Sequence, residues 1–274
     1  MALDARLIDG LCRLAQAPAA ESLVLIGASA ITLRMPGQYW HATADLDVVF
    51  SGPGLDAAKQ LAQHTSGRLD PRFEHRMYTP ENLKIDVLPV VAWAPNGRRL
   101  RWPISGIEMN FAGLQHALEH SDPMEIAPGA TFRVARLYLI ALLKIVAYMD
   151  DHARRRRDLE DLAQLLEYYA FDDYDRRFAD DLIEAQETAD DAGAYALGRD
   201  VGALAEADER LTVEAFLTLA DQENAPFSPL GPMAEARNGP WWRWDDARER
   251  ARARLAAFKR GFRSAAATPP CDPR

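Results

Sequence analysis

Two stretches decide the reading: Leu23-Val24-Leu25-Ile26-Gly27-Ala28-Ser29 and, further along, Asp45-Leu46-Asp47-Val48-Val49-Phe50. The first is an aliphatic run ending in three small residues, the pattern of a buried strand turning into a helix over residues 30–33. Met35-Pro36-Gly37 closes that helix, because proline lacks a backbone donor and glycine tolerates positive φ. The second alternates acid and apolar residues and then becomes wholly apolar, so it reads as a second strand, terminated by Ser51-Gly52-Pro53-Gly54. Successive strand side chains point to opposite faces. Asp45 and Asp47 therefore share one face, and Leu46 and Val48 the other. Adjacent carboxylates repel and resist desolvation unless a cation joins them. Mg²⁺ is a hard ion that takes carboxylates, water and phosphates, so the triplet reads as a half-site for Mg²⁺ and a nucleoside triphosphate. Taken alone, the triplet is also an ordinary surface sequence, and Gly27-Ala28-Ser29 an ordinary strand–helix turn.

Outward from these stretches, residues 4–18 place Leu7, Ile8, Leu11 and Leu14 at helical spacing, and residues 57–63 suit another helix. Residues 83–91 read as a third strand with Lys84, Asp86 and Leu88 on one face; Pro89 marks an edge or bend at its far end. A carboxylate amid Leu83, Ile85, Val87 and Leu88 is costly unless paired or liganded. Lys84 is one available partner. A metal shared with Asp45 and Asp47 on an adjacent strand is the other. Near residue 132 the character changes: residues 133–149 and 158–169 read as helices, and residues 175–222 as further helices. Residues 223–241 form a Pro/Gly-rich loop or linker, and residues 242–262 an arginine-rich helix. No internal repeat is evident. The expected fold class is α+β: a mixed β-sheet flanked by helices over residues 1–130, then a helical domain over residues 131–274.

Hydrophobic residues make up 48% of the 274 and charged residues 27%, an ordinary globular balance. The net charge of −9 argues against broad nonspecific nucleic-acid binding. A local basic groove stays open, because arginines cluster at Arg98, Arg99 and Arg101, at Arg154 to Arg157, and again over residues 243–263. The apolar stretch 137–146 is too short to span a bilayer. The N-terminal residues lack the basic-then-apolar signal pattern. The expectation is a soluble, cytoplasmic protein with no membrane association. Cys12 and Cys271 require no disulfide. The six histidines lack zinc-ligand spacing with the cysteines; His41, just before Asp45, reads as surface loop. Trp241, Trp242 and Trp244 beside Arg243 read as a packing cluster, with base stacking as the alternative.

Taken together, Gly27-Ala28-Ser29, Asp45-Leu46-Asp47 and Ile85-Asp86-Val87 resemble the signature of DNA polymerase β-like nucleotidyltransferases, with Ala28 where glycine is common. Leu143-Lys144-Ile145-Val146-Ala147-Tyr148, then Arg154 to Arg157, then Asp158-Leu159-Glu160-Asp161-Leu162 resemble a segment of AbiEii-type nucleotidyltransferases. These include toxins of abortive-infection toxin–antitoxin systems and MenT-like toxins. The family's Lys-Asp stands here as Arg157-Asp158, which keeps the charge but replaces a compact ammonium by a planar fork. The two resemblances cover the first 165 residues, roughly, by the spacing of their motifs.

The resemblance implies a catalytic set of Asp45, Asp47, Asp86, Lys144 and Asp158. Asp45, Asp47 and Asp86 would ligate Mg²⁺, or Mn²⁺ in its place. Gly27, Ala28, Ser29, Lys144 and Arg157 would bind the nucleoside triphosphate. From the residues alone, Lys144 equally reads as a snorkelling lysine, and Asp161 as a capping or surface residue. The implied activity is transfer of NMP from an NTP to the 3′ end of tRNA, by a toxin with a cognate antitoxin protein as partner. Two alternatives stand beside it: NMP transfer to a protein or to a small-molecule hydroxyl such as an antibiotic's, and a non-catalytic nucleotide-binding regulatory module.

Overall fold

The computed structural model describes residues 3–38, 43–52, 56–90, 98–170, 188–237 and 239–267, with Leu182 and Ala185. His41 and Cys271 lie outside the described residues. The chain divides into two compact units, Met1–Ile140 and Ala141–Arg274.

Among the described residues, the first unit holds strands β1 (Leu23–Ile26), β2 (Asp45–Phe50), β3 (Arg68–Leu69), β4 (Arg76–Tyr78), β5 (Lys84–Pro89), β6 (Arg99–Arg101), β7 (Glu108–Asn110), β8 (Ser121–Ala127) and β9 (Ala130–Ala135). Seven form one mixed sheet in the order β3-β4-β5-β2-β1-β9-β8, while β6 and β7 pair separately. All four residues of β1 are buried, as expected of a strand between neighbours and covered on both faces. It runs antiparallel to β2 and parallel to β9. Strand β2 runs parallel to β5, which is antiparallel to β4.

Among the described residues, the helices α1 (Ala5–Ala15), α2 (Gly27–Arg34) and α3 (Ala57–His64) accompany the sheet. The Asp4 carboxylate caps α1 by accepting from the Leu7 N–H at 3.0 Å. Leu7, Leu11 and Leu14 form the buried stripe of α1. A Cβ at Gly10 would lie 2.4 Å from Leu83 Cδ2 and 3.2 Å from Leu46 Cδ1. Helix α1 therefore presses on the face of the sheet that carries Leu46. Strand alternation puts Asp45 and Asp47 on the other face.

Residues 133–149, expected as one helix, are divided: β9 runs to Ala135, and α4 (Leu137–Asp150) begins after Arg136. Phe132 and Val134 alternate with polar residues and are buried. Their strand pairing comes from β1 and β8, partners that a local periodicity cannot register. Arg34 ties α2 to this edge. It donates to the carbonyls of Ala135 and Val134, each at 2.6 Å, and to Asp122 at 2.8 Å.

In the second unit, α5 (Arg156–Tyr168), α6 (Ala192–Leu204), α7 (Ala207–Asp221), α8 (Leu230–Glu235) and α9 (Ala247–Ala267) follow α4. The expected loop 223–241 thus contains α8, and the arginine-rich helix starts and ends five residues later than expected. Helices α6 and α9 meet backbone to backbone. A Cβ at Gly198 would come within 2.0 Å of the Phe258 carbonyl oxygen, and one at Gly261 within 2.0 Å of that of Tyr195. Arg254, buried on α9, donates to Glu167 at 2.9 Å and to Asp191 at 2.6 Å. Trp241 is buried and donates its indole N–H to Glu167 at 2.9 Å, so it is a packing residue as expected. Trp242 and Trp244, expected in the same packing cluster, are instead exposed, under Arg243 and Arg250 at 4.9 and 4.2 Å from the ring centres.

Candidate active site

The sheet register gathers three of the five catalytic candidates in the first unit. Asp47 of β2 lies directly opposite Asp86 of β5, and Asp45 opposite Lys84. Ile26, the last residue of β1, faces Asp47 from the other side. Asp45, Asp47, Lys84 and Asp86 consequently share the face of the sheet turned away from α1.

Gly27 holds φ at +71°, a conformation that disfavours a side chain, and a Cβ there would lie 2.5 Å from Asp47 Oδ2. The Asp47 carboxylate thus rests against the turn that starts α2. Ser29 is buried, and its hydroxyl donates to the Asp45 carbonyl at 3.0 Å, joining α2 to the start of β2. Thr43 Oγ1 lies 3.2 Å from both the carbonyl and Oδ1 of Asp45. Ala28 lies between Gly27 and Ser29 in the first turn of α2, and its carbonyl accepts from Thr32 Oγ1 at 3.0 Å.

Two cations that were not among the site candidates enter this cluster. Arg76 of β4 grips Asp86 at two points, Nε to Oδ1 at 2.7 Å and Nη2 to Oδ2 at 3.0 Å. Its guanidinium carbon sits 4.7 Å from the Phe73 ring centre. Hydrogen bonding to Asp86 raises the Arg76 pKa above its ordinary value. Lys84 makes an ion pair with Asp45 and lies 3.8 Å from Asp86 Oδ2. Burial works against its charge, but the hydrogen bond to Asp45 and the nearby carboxylates outweigh it and raise the pKa. No local pattern marks Arg76. Only the antiparallel pairing of β4 with β5 puts it opposite Asp86.

Three carboxylates offer hard oxygen donors only, the set that suits Mg²⁺ or Mn²⁺. The residue types fit a divalent cation. Among the described residues, however, no three His, Cys, Asp or Glu side chains are already gathered as a metal-holding group. The ammonium and guanidinium occupy positions against Asp45 and Asp86 instead.

The remaining two catalytic candidates meet in the second unit. Lys144 of α4 reaches Asp158 Oδ1 at 2.6 Å and Asp161 Oδ2 at 2.5 Å, both on α5. All three are nearly buried, with side-chain exposures of 13%, 10% and 6%. Lys144 therefore does not snorkel, and Asp161 is neither a cap nor a surface residue. Burial disfavours the lysine charge, yet the carboxylates of Asp161 and Asp158 overcome it and raise the pKa well above the ordinary value. Arg157 is exposed on the first turn of α5. The i, i+3 spacing that puts Asp161 beside Asp158 is the signal that could have found it.

A mixed sheet with an Asp-x-Asp strand beside a small-residue turn and a third acid on the neighbouring strand is the arrangement of a nucleotidyltransferase. Residues 9–250 match the family profile described as nucleotidyl transferase AbiEii toxin of a type IV toxin–antitoxin system, and the chain belongs to that family. It is accordingly a nucleotidyltransferase. No curated protein matches the chain. Among solved structures it is similar to JHP933 from Helicobacter pylori (14% identity, TM-score 0.46, covering 97% of this chain and 96% of that one). It is also similar to an H. pylori protein provisionally assigned as a nucleotidyltransferase (14% identity, TM-score 0.42, covering 96% and 93%). A third is the cyclic dinucleotide synthase CdnE of Elizabethkingia meningoseptica, solved with GTP and Apcpp (11% identity, TM-score 0.24, covering 94% and 89%). No helix among the described residues is long and apolar enough to cross a membrane.

Proposed function

We propose that the protein is the toxin of a toxin–antitoxin pair and transfers NMP from a nucleoside triphosphate to the 3′ end of tRNA, with a divalent cation at Asp45, Asp47 and Asp86. The observation that carries the catalytic part is the direct opposition of Asp47 and Asp86 across β2 and β5, with Asp45 on the same face. When bound, Mg²⁺ supplies positive charge against the phosphates and the departing pyrophosphate. The acceptor hydroxyl oxygen bonds to the α-phosphorus, the bridge to the β-phosphate breaks, and pyrophosphate leaves. Asp86 would assist loss of the hydroxyl proton, as a general base or by helping to hold the metal.

The main chain at Gly27 and Ala28, at the N-terminus of α2, is suited to phosphate charge. Ser29 contributes by fixing β2 through its bond to Asp45 rather than through a free hydroxyl. Family resemblance assigns Lys144, Asp158 and Arg157 to the nucleotide, with Asp158 and Asp161 holding the lysine in place. The tRNA acceptor rests on the likeness to MenT-like toxins. The exposed Trp242 and Trp244, each under an arginine, offer stacking surfaces that an RNA could use.

The test incubates the protein with Mg²⁺, total tRNA and each of the four α-labelled NTPs, with Asp47→Ala as control. Label on tRNA that vanishes in the variant is the expected result. Label on a protein or small molecule instead would overturn the acceptor and keep the chemistry. Growth arrest on expression, relieved by Asp47→Ala, tests the toxin role.

A further inference from the structure

Lys84 stands where the metal reading expects positive charge to come from solution. Its ammonium pairs with Asp45 and lies 3.8 Å from Asp86 Oδ2. This placement is built by the sheet: Lys84 is two residues before Asp86 on β5 and directly opposite Asp45 on β2. The pairing register puts one cationic side chain between two of the three carboxylates. Asp86 is already satisfied without it, because Arg76 occupies both of its oxygens. Asp45 accepts from Thr43 besides. The cluster is thus charge-compensated from within, and a divalent ion arriving at Asp45 and Asp86 meets a resident cation.

We propose that Lys84 is an internal competitor for the divalent ion: it neutralises Asp45 in the metal-free protein and yields it when the ion binds. This inference rests on the metal reading given under Proposed function. The lysine is suited to the part. Its side chain is 31% exposed, so the flexible four-carbon stem can carry the ammonium to water without opening the core. Arg76, planar and clamped at two points, cannot leave so readily. The consequence is that the ion concentration needed to fill the site is set by Lys84. Removal of its charge is worth a change on the scale of one neighbouring charge, about tenfold in affinity.

The experiment measures Mn²⁺ binding without nucleotide, by the loss of the free-ion electron paramagnetic resonance signal, in wild type, Lys84→Met, Lys84→Arg and Asp47→Asn. Lys84→Met should bind Mn²⁺ about tenfold more tightly, and Lys84→Arg should stay near wild type because the charge is kept. Thermal melts complete the test: Lys84→Met should melt below wild type in chelator and gain more from added Mn²⁺. Unchanged or weakened Mn²⁺ binding in a folded Lys84→Met protein overturns the inference. If that occurs while Asp47→Asn abolishes binding and wild type still labels an acceptor, the metal reading stands and only the competitor role fails. If neither wild type nor Lys84→Met binds Mn²⁺, and Asp47→Asn makes no difference, both fail together.

Discussion

Gly27 has no side chain, and Asp47 uses the space. Gly27→Ala would put a methyl group 2.5 Å from Asp47 Oδ2 in a backbone conformation with φ near +71°. The expected cost is ~1–3 kcal/mol of stability, read by urea denaturation, with nucleotide transfer falling further because Asp47 is pushed from its place. Lys144 poses the opposite problem. Lys144→Met would remove the ammonium that the buried Asp158 and Asp161 share. Breaking such a pair by removing one partner costs roughly 3–5 kcal/mol, and denaturant midpoints measure it. His75 adds a pH effect. It is buried, its ring lies tilted 5.0 Å from that of Trp102, and among the described residues its Nδ1 has no hydrogen-bond partner. Burial lowers its pKa below 6.5, partly offset by the charge of Asp86. Above that value both folded and unfolded chains are neutral here, and stability is full. As pH falls below it, the unfolded chain binds a proton first, so stability declines until the folded pKa is reached. His75→Phe should flatten the slope of melting temperature against pH below about 6.5.

At the scale of elements, β2 is readable because its two faces carry different chemistry. Leu46 is buried under α1 while Asp45 and Asp47 face the other way. Strand β5 is readable for the same reason: Ile85 and Val87 are buried while Lys84 and Asp86 are only half-buried. Only the last three residues of β9 fall inside an expected helix, because Val134 and Ala135 run on into the apolar Leu137 and fit either period. Helices α6 and α9 were expected as helices, but nothing in their patterns announced their close crossing. Gly261→Ala tests it. A Cβ 2.0 Å from the Tyr195 carbonyl must part the two backbones, and overpacking of this kind costs typically ~1–3 kcal/mol. Circular dichroism melts should show the loss. The equally helical but exposed substitution Arg252→Ala, which removes a surface pair with Glu223, should shift the melt far less.

For the molecule as a whole, the acidic balance is unevenly divided. Residues 1–140 carry 13 Lys and Arg against 14 Asp and Glu, whereas residues 141–274 carry 19 against 27. A chain this acidic has no broad field to draw in nucleic acid. An RNA acceptor must then be held by few phosphate contacts. Each contributes about one power of salt concentration to the affinity. Transfer to tRNA should therefore weaken with added KCl along a shallow log–log slope, measured as the KM for tRNA at fixed Mg²⁺ and NTP. An uncharged small-molecule acceptor would show no such slope, which separates the two acceptor classes without a mutation.

The sequence by itself determined what local periodicity can carry: that Asp45 and Asp47 share a face, that Asp86 sits on a third strand, that a small-residue turn follows the first. It also carried the family, through motifs short enough to survive as neighbouring letters. Tertiary structure alone decided that Asp47 lies opposite Asp86, that Lys84 lies opposite Asp45, and that Arg76 clamps Asp86 from β4. It also decided that Lys144 lies between two acids rather than in water. The reason is physical. Alternation along a strand and the turn of a helix are set by each residue's immediate backbone. Register between strands is set by hydrogen bonds and packed faces from chain segments tens of residues away, and the charges of this site meet only through that register.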